Sequence, residues 1–394
     1  AAGENFAKSQ LANGDFYVYY SLDNNGEAKV PRIAIRMDGN NKIEEIRGIA
    51  NKQNMEPEMM PILEKKLKEF PDRDKYLKKE HDMKLLTLID KKVNNNIELT
   101  LNELKFLYEI NSKIEGFGYE RDPRIDEIKN KRNIKQDYAL IFDVKGEEVA
   151  LSQEEWKQNP NKFKILDSDL YLWHLVKPNG LVLPHHINGS LSLSNLTSAD
   201  GLVLPQNIGG DLLLWSLTSA EGLVLPQSVG GDLHLWSLTS AEGLVLPQSV
   251  GGNLELTRLN SAEDLVLPQN IGGDLYLWSL TSAEGLVLSQ SVGGNLELTR
   301  LTSAEGLVLP QSVGGNLFLD NLTSAEGLVL PQSVGGSLNL SGLTSANGLV
   351  LPYDFNLNKL ICPSYIKNEI LQNPDKYFRK PPSEEENISV HHKR

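Results

Sequence analysis

The feature that most restricts this chain is a 21-residue repeat that runs without an insertion. The motif "GLVLP", or a near copy, begins at residues 180, 201, 222, 243, 264, 285, 306, 327 and 348, with Asp264 replacing the Gly once and Ser289 replacing the Pro once. A pair of leucines in the pattern "LxL" begins at 170, 191, 212, 233, 254, 275, 296, 317 and 338. Nine copies in constant register are the signature of stacked units that bury a shared core only by packing on their neighbours. We number the coils 1 to 9 by their "LxL" pairs.

Pro and Gly-Gly recur through the coils and leave no room for a long helix. In coil 4, Leu233 and Leu235 alternate, as do Leu223 and Leu225 in the preceding "GLVLP" leg, which places each pair on one face of an extended segment. The expected coil is therefore strand, turn, strand, turn, with strands at "LxL" and "GLVLP". The expected fold class is an α+β N-terminal domain over residues 1–165 followed by a parallel β-solenoid of nine coils over residues 166–352. Eight coil-to-coil steps of ~4.8 Å make a rod roughly 40 Å long. The alternative is a leucine-rich-repeat horseshoe. The block resembles bacterial leucine-rich repeats, and more specifically the "LTSAxGLxLPxxVGG" arrays of bacterial proteins, but the Asn that follows "LxL" in the usual leucine-rich repeat is replaced here by Leu238 and its equivalents.

Stacking in register turns the coil-to-coil differences into columns. If the leucines of "LxL" point inward, the residues beside them point outward. Coil by coil the outward pairs are Tyr171/Trp173, Ser192/Ser194, Leu213/Trp215, His234/Trp236, Glu255/Thr257, Tyr276/Trp278, Glu297/Thr299, Phe318/Asp320 and Asn339/Ser341. Four of the five tryptophans thus share a column, and Leu213, Trp215, His234 and Trp236 form an apolar patch on adjacent coils. Large bare apolar patches are uncommon on monomers, and Trp is enriched at binding hot spots. The candidate ligand-binding residues are Tyr171, Trp173, Leu213, Trp215, His234, Trp236, Tyr276 and Trp278. Their partner is expected to be a protein or, alternatively, a glycan stacked on the aromatic rings. Neutral drift of a tolerant surface after duplication, or packing beneath another segment, accounts for the same pattern without a ligand.

Two acidic columns accompany the repeat, Glu221 and its equivalents and the Asp/Asn column that includes Asp211, Asp232 and Asn253. The glycine spacing of calcium-binding nonapeptide repeats is absent, so solvated carboxylates and an Asx corner ladder are expected rather than a metal site. His185–His186 reads as a corner substitution. No cofactor is expected.

Before the repeats, "DFYVYYSL", "PRIAIRM" and "KIEEIRG" alternate and are separated by Asn/Gly/Asp turns, which predicts a three-stranded meander. Helical periodicity follows in "PEMMPILEKKLKEF", "DRDKYLKKEHDMKLLTLIDKKV" and "RIDEIKNKR". Thr100 with Glu103 and Ser152 with Glu155 have the capping-box spacing. There is no phosphate loop, recognisable nucleophile turn or HExxH. An enzyme with its chemistry in residues 1–165 and the repeats as a targeting arm is carried as a third function class, without residues to support it. His81 and the loop "EGFGYERDPR", with Tyr119, Glu120, Arg121, Asp122 and Arg124, read as a solvated helix face and a charged loop. "PYDFNLNKLICPSYIKNEILQNPDKYF" departs from the repeat, so residues 353–378 are expected to cap the open strand edges. Residues 379–394 read as a disordered tail.

The stretches "GDFYVYYSL", "VPRIAIRMDG", "DMKLLTLIDKK" and "FLYEINSKIEGFGYERDPRI" resemble a module of proteins from uncultured bacterial lineages, and the strand portion is distantly similar to the C-terminal part of conjugation-associated PcfJ-like proteins. This resemblance covers residues 1–150 and implies no activity or site residues. In both groups a Trp-Cys-Thr stretch often precedes the matching region, so the chain is expected to be an N-terminally truncated fragment. Residues 167–352 hold sixteen Asp/Glu and three Lys/Arg, which accounts for the whole net charge of −13. Such a surface repels phosphate backbones and argues against nucleic acid at the repeats. No apolar run is long enough to cross a bilayer. A single cysteine and no visible signal peptide favour the cytoplasm.

Overall fold

The computed structural model describes residues 16–22, 27–37, 43–48, 59–67, 73–117, 121–178, 180–353 and 355–380. Tyr119, Glu120, His391, His392 and all of the expected tail beyond Lys380 lie outside these residues. The chain divides into two units, Ala1–Asp137 and Tyr138–Arg394.

In the first unit, Phe16–Leu22, Ala28–Met37 and Ile43–Gly48 form the antiparallel meander. Ile33, Ile35, Met37 and Ile43 bury one face against Leu63 and Leu67 of the helix Met60–Leu67 and Tyr76 of the helix Arg73–Asn94. The helix Leu101–Leu107 begins at the Thr100–Glu103 capping box, and Lys92 Nζ lies 2.6 Å from Glu103 Oε1. His81 is exposed on its helix. Arg121 bridges Glu109 and Asp126 at 2.6 Å each, and Arg124 is bound to Asp122, so these loop charges neutralise one another. Among the described residues no helix is long and apolar enough to cross a membrane.

The second unit is a parallel β-solenoid of nine 21-residue coils. The "LxL" segments form one ten-stranded parallel sheet, from Leu170–Tyr171 to Leu338–Asn339 and closed by Leu360–Ile361. The other strand of each coil is not in the "GLVLP" leg, as the leucine alternation suggested. It lies one step later, in Ser228–Val229 and its equivalents, and these make a second ten-stranded parallel sheet. The leg remains extended but forms only isolated bridges such as Val266 to Val287 and Val287 to Val308. Its backbone donors are used elsewhere. Leu223 N–H turns back on Ala220 O of its own coil at 2.9 Å, and Pro226 has no N–H to donate. Each coil thus has three extended legs, two of them hydrogen-bonded into sheets.

Leu233, Leu235, Leu238, Ala241, Leu244 and Val250 are buried, and their equivalents extend this core through every coil. The coil edges are held by a ladder of side-chain acceptors, Asx from coil 3 to coil 8 and Ser190 in coil 2. The side-chain Oδ1 of Asp211 accepts from Asp232 N at 2.8 Å, that of Asp232 from Asn253 N at 2.6 Å, and that of Asn253 from Asp274 N at 2.7 Å. The acidic corner column is therefore a chain of backbone supports. Among the described residues no three His, Cys, Asp or Glu side chains converge on a point where a metal could sit.

Both ends of the core are covered. Val149–Ala150 and Ile165–Leu166 are the first strands of the second sheet, and Trp156, from a helix capped by Ser152, packs into the core beside them. At the other end Leu360, Ile366, Ile370 and Tyr377 join the core, and Leu351 N donates to Tyr377 O at 2.7 Å while Arg379 N donates to Leu351 O at 2.8 Å. His186 is not a corner residue. It pairs in the second sheet between Ile165 and Asn207 and is buried against Phe142, with ring centroids 4.5 Å apart.

The "GLVLP" leg is entered through a left-handed residue, glycine in every coil but one; Asp264 holds φ 63° there. A β-carbon in this region costs about 1 kcal/mol, less for Asp than for most residues. Asp264→Gly is expected to raise unfolding stability by up to about 1 kcal/mol. The shift should appear in the urea midpoint at unchanged m-value.

Candidate functional site

The strands of the first sheet leave one residue of each "LxL" and the residue after it on the outside. Leu233 and Leu235 are fully buried; between them His234 is half-buried, and Trp236 is 40% exposed. Parallel in-register pairing sets Leu213 beside His234 and Ser192, so the outward side chains form a column at coil spacing.

The candidate residues fall into three clusters. On coils 3 and 4, Trp215 and Trp236 stack with centroids 5.0 Å apart and planes 5° from parallel. His234 stands edge-on to both, at 6.0 and 5.9 Å, and Leu213 lies beside it in the ladder. On coil 6, Tyr276 and Trp278 meet edge to face at 5.5 Å. On coil 1, Tyr171 and Trp173 are both exposed, Trp173 at 61% and so the barest of the four tryptophans. Ser192/Ser194 separates coil 1 from coil 3, and Glu255/Thr257 separates coil 4 from coil 6. None of the four tryptophans is covered by another described segment.

Carboxylates hold these rings. His234 Nδ1 lies 2.8 Å from Glu255 Oε2 on the next coil, and its Nε2 is 3.9 Å from Asp232 Oδ2. Tyr276 donates to Asp274 Oδ2 at 2.7 Å and Tyr171 to Asp169 Oδ2 at 2.9 Å, while Trp278 Nε1 donates to Glu297. Burial and the Asp274 hydrogen bond both push the Tyr276 hydroxyl well above its ordinary value. Burial raises the Glu297 carboxyl, against the lowering effect of the Trp278 bond.

The corner residue follows from this arrangement. In an Asp corner, Oδ1 supports the backbone of the next coil and Oδ2 is left for an outward ring, as Asp274 does for Asn295 N and Tyr276. Where the outward residue is Glu255 or Glu297, the corner is Asn253 or Asn295, which keeps two carboxylates from meeting. In these coils the two positions go together and read as "DLY" and "DLH" against "NLE", while Asp211 before Leu213 and Asn316 before Phe318 support only the next coil's backbone.

A second outward array was missed in the sequence. The central valine of the "GLVLP" leg is among the most exposed apolar residues of the chain, at 66 to 75% from Val203 to Val329. The available signal was the Leu-Val-Leu alternation itself, which turns the valine outward wherever the leucines turn in.

The fold and these two faces define a repeat protein of the parallel β-solenoid class. Comparison with protein-family models, curated proteins and solved structures found no match.

Proposed function

We propose that this chain is a non-catalytic binding scaffold that takes up a protein partner on the aromatic face of its first sheet. The observation that carries this reading is the exposed Trp215–Trp236 stack with His234 at its edge. Rings already stacked and wedged lose little side-chain entropy on binding, which makes them efficient anchors. Asp232, Glu255, Asp274 and Glu297 surround the rings, while Arg258 and Arg300 are the only cations in coils 4 to 7. The matching partner is a segment with apolar or aromatic side chains among lysines and arginines.

The glycan reading has weaker support. A sugar stacks on an open indole face, and Trp215 and Trp236 each turn one face to the other.

Peptide-display selection on the full chain, followed by titration of tryptophan fluorescence, tests the proposal. Selected peptides are expected to be rich in aromatic and basic residues. Trp215→Ala combined with Trp236→Ala should weaken them by two orders of magnitude or more, since central Trp anchors contribute roughly 2 kcal/mol or more each. The circular dichroism should be unchanged. Equal peptide affinity in the double variant would overturn the site. A fluorescence response confined to an oligosaccharide panel would replace the protein partner with a glycan.

A further inference from the structure

The valine array lies on a different leg from the aromatic face and has a geometry of its own. Seven consecutive coils, from Val203 to Val329, each present one valine that is about two-thirds exposed or more. Val266, Val287 and Val308 are joined by parallel bridges, so at least there the valines repeat at the ~4.8 Å strand spacing. On the order of 100 Å² of exposed apolar surface per valine gives a stripe of roughly 700 Å². That exceeds the few hundred Å² usual for a monomer's largest patch and approaches the ~800 Å² per partner of a stable interface.

We infer that this stripe is the contact face of a parallel homodimer. A complement must repeat at the same spacing over the same length, and the stripe of a second copy does so by construction. Two such stripes can pack face to face, each valine against its own equivalent, in the self-complementary contact that a two-fold axis requires.

The flanking columns select the orientation. Along each of these coils the chain passes an exposed acidic residue three residues before the valine, Asp200 in the first and Glu in the others, and an exposed Gln three residues after it, as with Glu221, Val224 and Gln227. A two-fold axis parallel to the solenoid axis sets the Glu column of one copy against the Gln column of the other, where amides can donate to carboxylates. A two-fold axis perpendicular to it sets Glu against Glu along the whole stripe, which is repulsive. The two copies therefore run in the same direction, with equivalent coils opposite one another.

Sedimentation of the full chain should show a dimer at micromolar concentration. Val245→Glu with Val287→Glu should give a monomer with unchanged circular dichroism. The milder pair Val245→Thr with Val287→Thr keeps the side-chain shape and should weaken the dimer more than tenfold. In a Cys362→Ser background, Val203→Cys and Val329→Cys should each crosslink to its own equivalent, because like faces like in the parallel arrangement. A wild-type monomer, or a dimer indifferent to both valine pairs, would overturn the interface. Crosslinks found only between position 203 of one copy and 329 of the other would overturn the orientation. A monomer whose stripe binds an apolar dye only after removal of residues 381–394 would assign the stripe to the chain's own tail and overturn the dimer.

Discussion

Gly251→Ala is expected to destabilise the solenoid by about 3 kcal/mol, among the largest effects of a single added methyl group. A β-carbon at this position would stand 2.3 Å from Gly230 O, and one at Gly230 would stand 2.2 Å from Gly209 O. These are backbone atoms of the adjacent coil, fixed by the bond from Gly251 N to Val229 O at 2.8 Å and by the Asx ladder beside it. Relief requires two coils to separate where each is held only by its neighbours. Gly243→Ala supplies the contrast. Nothing lies within 4 Å of its β-carbon, and only its φ of +72° opposes substitution, at a cost of about 1 kcal/mol. Urea unfolding of both variants separates the two mechanisms. Similar midpoint shifts would show that the Gly-Gly corner is not held by close approach.

The second large effect is pH-dependent. Burial lowers His186 from the ordinary 6.5 to about 4. Neither ring nitrogen has a hydrogen-bond partner among the described residues. Above pH 6.5 the ring is neutral in both folded and unfolded chains and has no linkage effect. As the pH falls, the unfolded chain takes up a proton near 6.5, whereas the folded chain takes it up only near 4. Unfolding is therefore favoured progressively across that window, by about 3 kcal/mol at its lower end, and by no more below it. His186→Phe keeps an aromatic ring against Phe142 and removes the titration. Its stability should lack the decline that His186 causes in the wild type from pH 6.5 to 5. Carboxylates held below their ordinary values act in a lower window, whereas the raised Glu297 carboxyl favours the folded state as the pH falls, equally in wild type and variant. Asp122, held below its ordinary value chiefly by the Arg124 hydrogen bond, loses its contribution only as the pH falls below about 3.9. Parallel declines in wild type and variant would exclude His186 as the cause.

Much of the solenoid was legible because its period is exact. A constant 21-residue step forces equivalent residues into columns, and the inward leucines and outward rings follow from alternation. The position of the second sheet was not legible. "LVL" and "QSV" both read as extended, and the choice depends on where the backbone donors point. Leu223 N–H turns inward to Ala220 O, and Gly230 N–H reaches Ile208 O on the adjacent coil. His186 was misplaced for a related reason, since a residue written between Pro and Asn looks like a corner until Phe142 is seen to cover it. The capping boxes were legible because their chemistry is local. In the charged loop, Asp122 and Asp126 stand close to Arg124 and Arg121 in the sequence, but the further partners Thr87 and Glu109 lie 37 and 12 residues back and could not be read from it.

The sequence by itself determined the register, the leucine core and the outward residues of the "LxL" segments, since each depends only on period and alternation along the chain. Tertiary structure alone decided how those side chains meet. Trp215 and Trp236 are 21 residues apart, and their 5.0 Å stack exists only because two coils are hydrogen-bonded one strand spacing apart. The valine stripe is likewise one residue per coil, unremarkable in any single repeat. Stacking makes it a continuous face, because strand spacing brings the repeated side chains close enough to exclude water together.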